Sequence, residues 1–98
     1  MSARSFDLNG NKRQGNIAIL NGESIKEVVL YSTVVVSIQP NQIVLNSGGY
    51  RTSTTKTAIN RVLTQLDNPN RVVQIKGEWF LTGGVNKVLF FDNISIYL

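Results

Sequence analysis

The chain contains no cysteine and no histidine. The first absence removes disulfide frameworks, thiolate metal sites and thiol catalysis, and it fits a cytoplasmic setting. Added to it, the second takes away the usual zinc ligands and the side chain that titrates near neutral pH. Acid is scarce as well. Asp7, Glu23, Glu27, Asp67, Glu78 and Asp92 are the only carboxylate side chains, and four of them fall in expected turns or in the N-terminal stretch. No two have a spacing that argues for paired-carboxylate catalysis or for a metal. The expectation is therefore a protein that is not an enzyme and uses no cofactor or metal. A Ser or Thr activated by a lysine is the one enzymatic route the composition leaves. No run is long and apolar enough to span a membrane. Asp7, Asn9 and Gly10 stand where a secretion signal would need its apolar core.

What is present is a basic surplus on a chain of one-domain length. Ninety-eight residues carry 10 Lys and Arg against 6 Asp and Glu, a net charge of +4. Such a surplus favours anionic partners, nucleic acid first, through phosphate neutralisation; equally, it keeps a small domain soluble. Residues 1–15 offer only Phe6 and Leu8 as sizeable apolar anchors after the initial Met, and they hold the basic pair Lys12-Arg13. They read as a flexible tail, with residues 16–98 as a single α+β domain.

Most of that domain reads as strand. Ile17-Ala18-Ile19-Leu20 ends at Asn21-Gly22, a type I′ hairpin signal because both central residues of that turn need positive φ. The chain returns through Ile25 to Tyr31, where strand is preferred over a short helix from Ser24 to Leu30. Thr33 to Ile38 is β-branched almost throughout; Pro40-Asn41 turns it and Ile43-Val44-Leu45 brings it back. Beyond the helix described next, Arg71–Lys76, Trp79–Thr82, Lys87–Phe91 and Ile94–Leu98 form a meander with turns at Gly77-Glu78, Gly83-Gly84 and Asp92-Asn93. Ile94, Ile96 and Leu98 alternate with Ser95 and Tyr97, the period of a half-buried strand. Trp79-Phe80-Leu81 and Val88 to Phe91 instead place apolar groups on both faces. Either the sheet curls into a partial barrel, or its second face meets another chain.

One helix start stands out. Asn46-Ser47-Gly48-Gly49-Tyr50-Arg51-Thr52-Ser53-Thr54-Thr55-Lys56 leads into a segment whose Ala58, Ile59, Val62, Leu63 and Leu66 form one apolar stripe, stopped by Asn68-Pro69. A helix start exposes unpaired N–H groups and attracts anions, and most answer with Asp or Glu. This one has no acid between Asn46 and Asn60 and places Arg51 and Lys56 there. Two readings follow. Either an external phosphate is held by Gly48, Gly49, Tyr50, Arg51, Thr54, Lys56, Asn60 and Arg61, or Thr52 or Thr54 is simply the N-cap and Lys56 is solvated. A P-loop is excluded, since Thr55 stands where the last glycine must be. Arg71 and Lys76 extend the basic set, with Tyr50, Trp79 and Phe80 as stacking candidates unless Trp79 is core.

Val29-Leu30-Tyr31-Ser32-Thr33, then Ile43 through Thr52 with Thr54-Thr55-Lys56 and Asn60, and Arg71-Val72-Val73-Gln74 with Lys76 through Phe80, resemble a family of small proteins encoded by tailed phages, notably cyanophages. The resemblance runs from about Val28 to Leu98. It departs at Tyr50, where a tryptophan is expected, and the first 25 residues look like an addition. It implies a phage origin and a site of action in the host cytoplasm, and it brings no functional residue set.

The expected fold is α+β, a single helix packed on a curved, mainly antiparallel sheet of order ββ-α-ββββ, with room for one extra N-terminal strand. The expected function is a binding module: nucleic acid through the Gly48–Lys56 loop and the basic helix face. The alternative is capture of a host protein, or self-association as a homodimer, through Phe80, Phe91 and Tyr97.

Overall fold

Nine strands and one helix make up the regular structure of the computed structural model, which describes residues 12–14, 17–83 and 87–98. Strands β1 (Lys12–Gln14), β2 (Ile17–Asn21), β3 (Lys26–Leu30), β4 (Thr33–Ile38) and β5 (Gln42–Leu45) precede helix α1 (Ser53–Gln65). Strands β6 (Arg71–Ile75), β7 (Glu78–Thr82), β8 (Lys87–Leu89) and β9 (Ile94–Tyr97) follow it. The α+β class with one helix is as expected. The strands, however, divide between two antiparallel sheets, β1-β2-β3-β4-β5-β9 and β6-β7-β8, and no barrel closes among the described residues. Strand β9 is what joins the halves. It crosses from the meander to pair with β5, setting Ile94 against Leu45 and Ile96 against Ile43.

The helix lies between the sheets. Ala58, Ile59, Val62 and Leu63 are buried in one cluster with Val35, Val36 and Leu45 of the larger sheet and Val72, Trp79 and Leu81 of the smaller, while Leu66 packs on its edge. Trp79 is core, edge-on to Phe90 with ring centroids 5.4 Å apart. No helix among the described residues is long and apolar enough to cross a membrane.

The chain reverses at places the local signals misassign. Neither Asn21 nor Gly22 has positive φ. The first hairpin turns instead at Glu23-Ser24, closed by Gly22 N donating to Ile25 O at 2.8 Å. This register sets Ile19 opposite Val28, both buried, and core burial outweighs the preference of the turn. A two-residue loop with both φ positive does occur, at Lys76 (52°) and Gly77 (83°), one residue earlier than expected. Tyr31, expected in strand, sits in the β3–β4 turn at φ 59°. Of the expected tail, Lys12–Gln14 forms an edge strand on β2; Phe6 and Leu8, and Gly84 of the Gly83-Gly84 turn, lie outside the described residues.

Candidate functional site

The loop from Asn46 to Thr52 is closed by its own side chains. Asn46 N donates to Val35 O, fastening the loop to β4 at 2.9 Å. Asn46 Oδ1 accepts from Gly48 N at 2.7 Å. Ser47, buried, uses its whole hydroxyl: Oγ donates to Asp92 Oδ1 at 2.7 Å and accepts from Gly49 N and from Arg51 Nε, each at 3.1 Å. That is the one donor and two acceptor positions a hydroxyl has. Ser47 N donates to the same carboxylate oxygen at 2.8 Å. Burial pushes the Asp92 carboxyl up, but the Ser47 hydroxyl and N–H, the Arg51 charge and the Gly49 N–H together hold it below its ordinary value. The anion drawn to this glycine turn is thus supplied by the chain itself, from the turn before β9.

Both glycines have left-handed backbone, Gly48 at φ 65° and Gly49 at φ 86°. A Cβ on Gly48 would come within 2.6 Å of Thr33 Cγ2, so the bare backbone lets the loop close on the β3–β4 turn.

The helix start follows the N-cap reading. Thr52, with extended backbone, accepts from Thr55 N through Oγ1 at 3.2 Å, and its carbonyl accepts from Lys56 N at 3.0 Å. Thr55 is buried, its hydroxyl 3.1 Å from that of Thr52.

The cations chosen from the sequence do not converge. The Arg51 guanidinium lies over Trp79 and Phe90, 5.3 and 5.0 Å from the ring centroids. Lys56 Nζ reaches Gln74 Oε1 on β6 at 3.4 Å. Arg61 lines a shallow hollow with Ile17 and Thr54. Asn60 is occupied structurally: its Nδ2 donates to Val72 O at 2.9 Å and its Oδ1 accepts from Val72 N at 2.7 Å, so the helix supplies the missing partner for the β6 edge. Arg71 Nη1 donates to the carbonyls of Asn68 and Asn70.

Two separate features remain open to a ligand. The first is a cleft of about 510 Å³ between the β3–β4 turn and the start of α1, which Tyr50 and Thr54 line with Tyr31. The sequence singled out Tyr50 and Thr54 but not Tyr31, whose only local signal is its place after a strand and before Ser32. The second is the outer face of β6-β7-β8. Trp79, Leu81 and Val72 point into the core, so the opposite face carries the alternate residues. Register sets Val73, Phe80 and Leu89 in one row across all three strands, with Arg71, Thr82 and Lys87 in the next. Phe80 is half-buried and Lys87 Nζ lies 5.1 Å from its ring centroid. Leu89 and Phe91 are 56 and 58% exposed, whereas Tyr97, 79% exposed, stands on β9 of the larger sheet opposite Gln42 and does not join this face.

Compared with known proteins, residues 4–96 match the model of a family described as Kyanoviridae Gp96 protein. The match takes in most of the first 25 residues, which are therefore family sequence and not an addition. No curated protein and no solved structure matches the chain.

Proposed function

The chain belongs to the Kyanoviridae Gp96 family of cyanophage-type proteins, and on that premise we propose that it is a non-enzymatic binding protein that docks on another protein through the outer face of β6-β7-β8. The observation that carries this reading is the apolar row Val73–Phe80–Leu89 on a sheet face with no layer over it among the described residues. A one-sided sheet ordinarily turns polar residues to water. The doubly apolar strands call for either barrel closure or a second-face partner, and among the described residues the barrel does not close. Phe91 extends the exposed apolar surface beyond β8.

The partner's chemistry follows from the flanking residues. Arg71 and Lys87 line the neighbouring row, Lys76 closes the adjacent turn, and Glu78 is the one carboxylate on that face. A partner with an apolar centre and an acidic rim complements this arrangement better than a second copy, which would bring the same cations. The reading places its action in the host cytoplasm, in keeping with a cysteine-free chain of phage type.

A second reading, nucleic-acid binding, is favoured by the same cations standing beside an aromatic ring, the composition of a single-strand stacking platform. The Gly48–Lys56 loop supports it less, because its amides and Arg51 have internal partners.

One experiment separates the two. Immobilised wild type, Leu89→Asp, Lys87→Glu and Lys56→Glu/Arg61→Glu are exposed to host lysate, and the same proteins are titrated with labelled single-stranded DNA, duplex DNA and RNA at physiological salt. Protein docking predicts a captured protein that Leu89→Asp loses and Lys56→Glu/Arg61→Glu keeps, with thermal midpoints unchanged. Nucleic-acid affinity that survives physiological salt and disappears in Lys87→Glu would replace the first reading with the second.

A further inference from the structure

We propose that the cleft between the β3–β4 turn and the start of α1 receives an uncharged planar heterocycle of nucleobase type. Its volume, about 510 Å³, falls in the range of small-molecule sites, roughly 300–1,000 Å³. Its lining selects the chemistry. Leu30 and Val35, both buried, make an apolar wall, and Tyr31 and Tyr50 stand on the same cleft with 62 and 65% of their surfaces exposed. Among the described residues no charged side chain lines it. A charged ligand pressed against Leu30 and Val35 would lose water and gain no counter-ion. A flat neutral ring loses little and gains stacking on tyrosine faces. The hydroxyl-bearing Ser32 and Thr33, together with Thr54, line the opening and suit the hydrogen-bonding edge of such a ring.

Two features of the backbone keep this cleft in shape. Tyr31 holds φ 59°, a conformation glycine or asparagine adopts at less cost, and it does so at the residue that brings a ring to the rim. Gly48 lets the Asn46–Thr52 loop approach Thr33 more closely than any side chain would allow. The aromatic rim therefore rests on two turns braced against each other.

The base could arrive as a free nucleoside or as an unpaired base of a strand; the recognising chemistry is shared. The test is amide chemical-shift mapping of the full chain with adenosine and cytidine, their 5′-monophosphates, and a short single-stranded oligonucleotide. The expected result is saturable shifts at Ser32, Thr33, Tyr50 and Thr54, with the monophosphate binding no more tightly than the nucleoside. Tyr50→Ala and Tyr31→Asn, the latter compatible with the backbone, should each weaken binding roughly tenfold, while Leu89→Asp leaves it unchanged. Shifts with nucleoside alone identify the free molecule as the source; cleft shifts seen only with the oligonucleotide identify a strand. The proposal is overturned if no probe shifts these amides at millimolar concentration, or if Tyr50→Ala binds as well as wild type. It is also overturned if only phosphate-bearing probes bind and Lys56→Glu abolishes their binding. Because Leu89 lies on the other surface, failure here leaves the protein-docking reading standing, and the reverse holds too.

Discussion

Ser47 and Asp92, 45 residues apart, are joined twice: the serine N–H and its hydroxyl both donate to Asp92 Oδ1, at 2.8 and 2.7 Å. The pair ties the turn before α1 to the turn before β9, and Asn46 Nδ2 donating to Asn93 Oδ1 at 3.0 Å runs beside it. Because Ser47 is buried, Ser47→Ala takes the hydroxyl donor from Asp92 and leaves the Gly49 and Arg51 donors without their acceptor, while the backbone N–H keeps its bond to the carboxylate. A loss of about 1–3 kcal/mol in urea unfolding is expected.

The same pair makes stability depend on acid. The Asp92 carboxyl is held below its ordinary value in the folded chain. A group depressed in this way contributes stability above its unfolded pKa and loses that contribution as pH falls through the folded value. The wild type should therefore exceed Asp92→Asn in stability near neutral pH, and the gap should narrow as pH drops below the ordinary carboxylate range. Urea midpoints of both proteins across that range check it; a gap that is constant or grows in acid would refute the assignment.

Asn60→Ala removes the side chain that both donates to and accepts from Val72, which is buried. The strand edge is left without its partner, and a cost of about 1–3 kcal/mol is expected. Amide exchange should rise most at Val72. An Asn60 that served a ligand and not the fold would leave both quantities unmoved.

What local pattern determines, the sequence displayed. The stripe Ala58, Ile59, Val62, Leu63 needed only the helical period, whereas the cap was narrowed only to Thr52 or Thr54, because either offers a hydroxyl before a helix start. The tether from Ser47 to Asp92 could not be seen in that way, because it depends on β9 leaving the meander to pair with β5. The lack of acid between Asn46 and Asn60 was visible as an anomaly; the glycine turn ahead of the helix takes its carboxylate from this distant turn, so the anomaly was legible and its answer was not. Asn60 and Arg51 looked like surface polar groups for the same reason: their partners are Val72 and Trp79 of the second sheet and Phe90, which follows β8.

Gly48 and Gly49 should respond unequally to alanine. Both hold positive φ, which costs an L-residue about 1 kcal/mol. Only at Gly48 does the new Cβ also meet Thr33, whereas at Gly49 nothing lies within 4 Å. Gly48→Ala should be the more destabilising, and Thr33→Ala should recover the excess at Gly48 while doing nothing for Gly49→Ala. A double-mutant cycle on urea midpoints measures that coupling. Additivity at both glycines would mean that the loop does not rest on the β3–β4 turn.

The helix C-terminus can be improved. Asp67 N donates to Thr64 O and Asn68 N to Leu63 O, at 3.1 and 2.9 Å, the paired bonds of a Schellman ending, with Asp67 at φ 56°. That position favours glycine, and aspartate occupies it at some conformational cost. Asp67 also places a negative charge beside carbonyls that already carry a partial negative charge. Asp67→Gly relieves both effects and gives up only chain entropy in the unfolded state. A gain of about 0.5–1 kcal/mol in urea unfolding is expected, with ligand and partner binding unchanged because the residue lies at the far end of α1 from the cleft. A loss of stability instead would show that the Asp67 side chain holds the α1–β6 connection together.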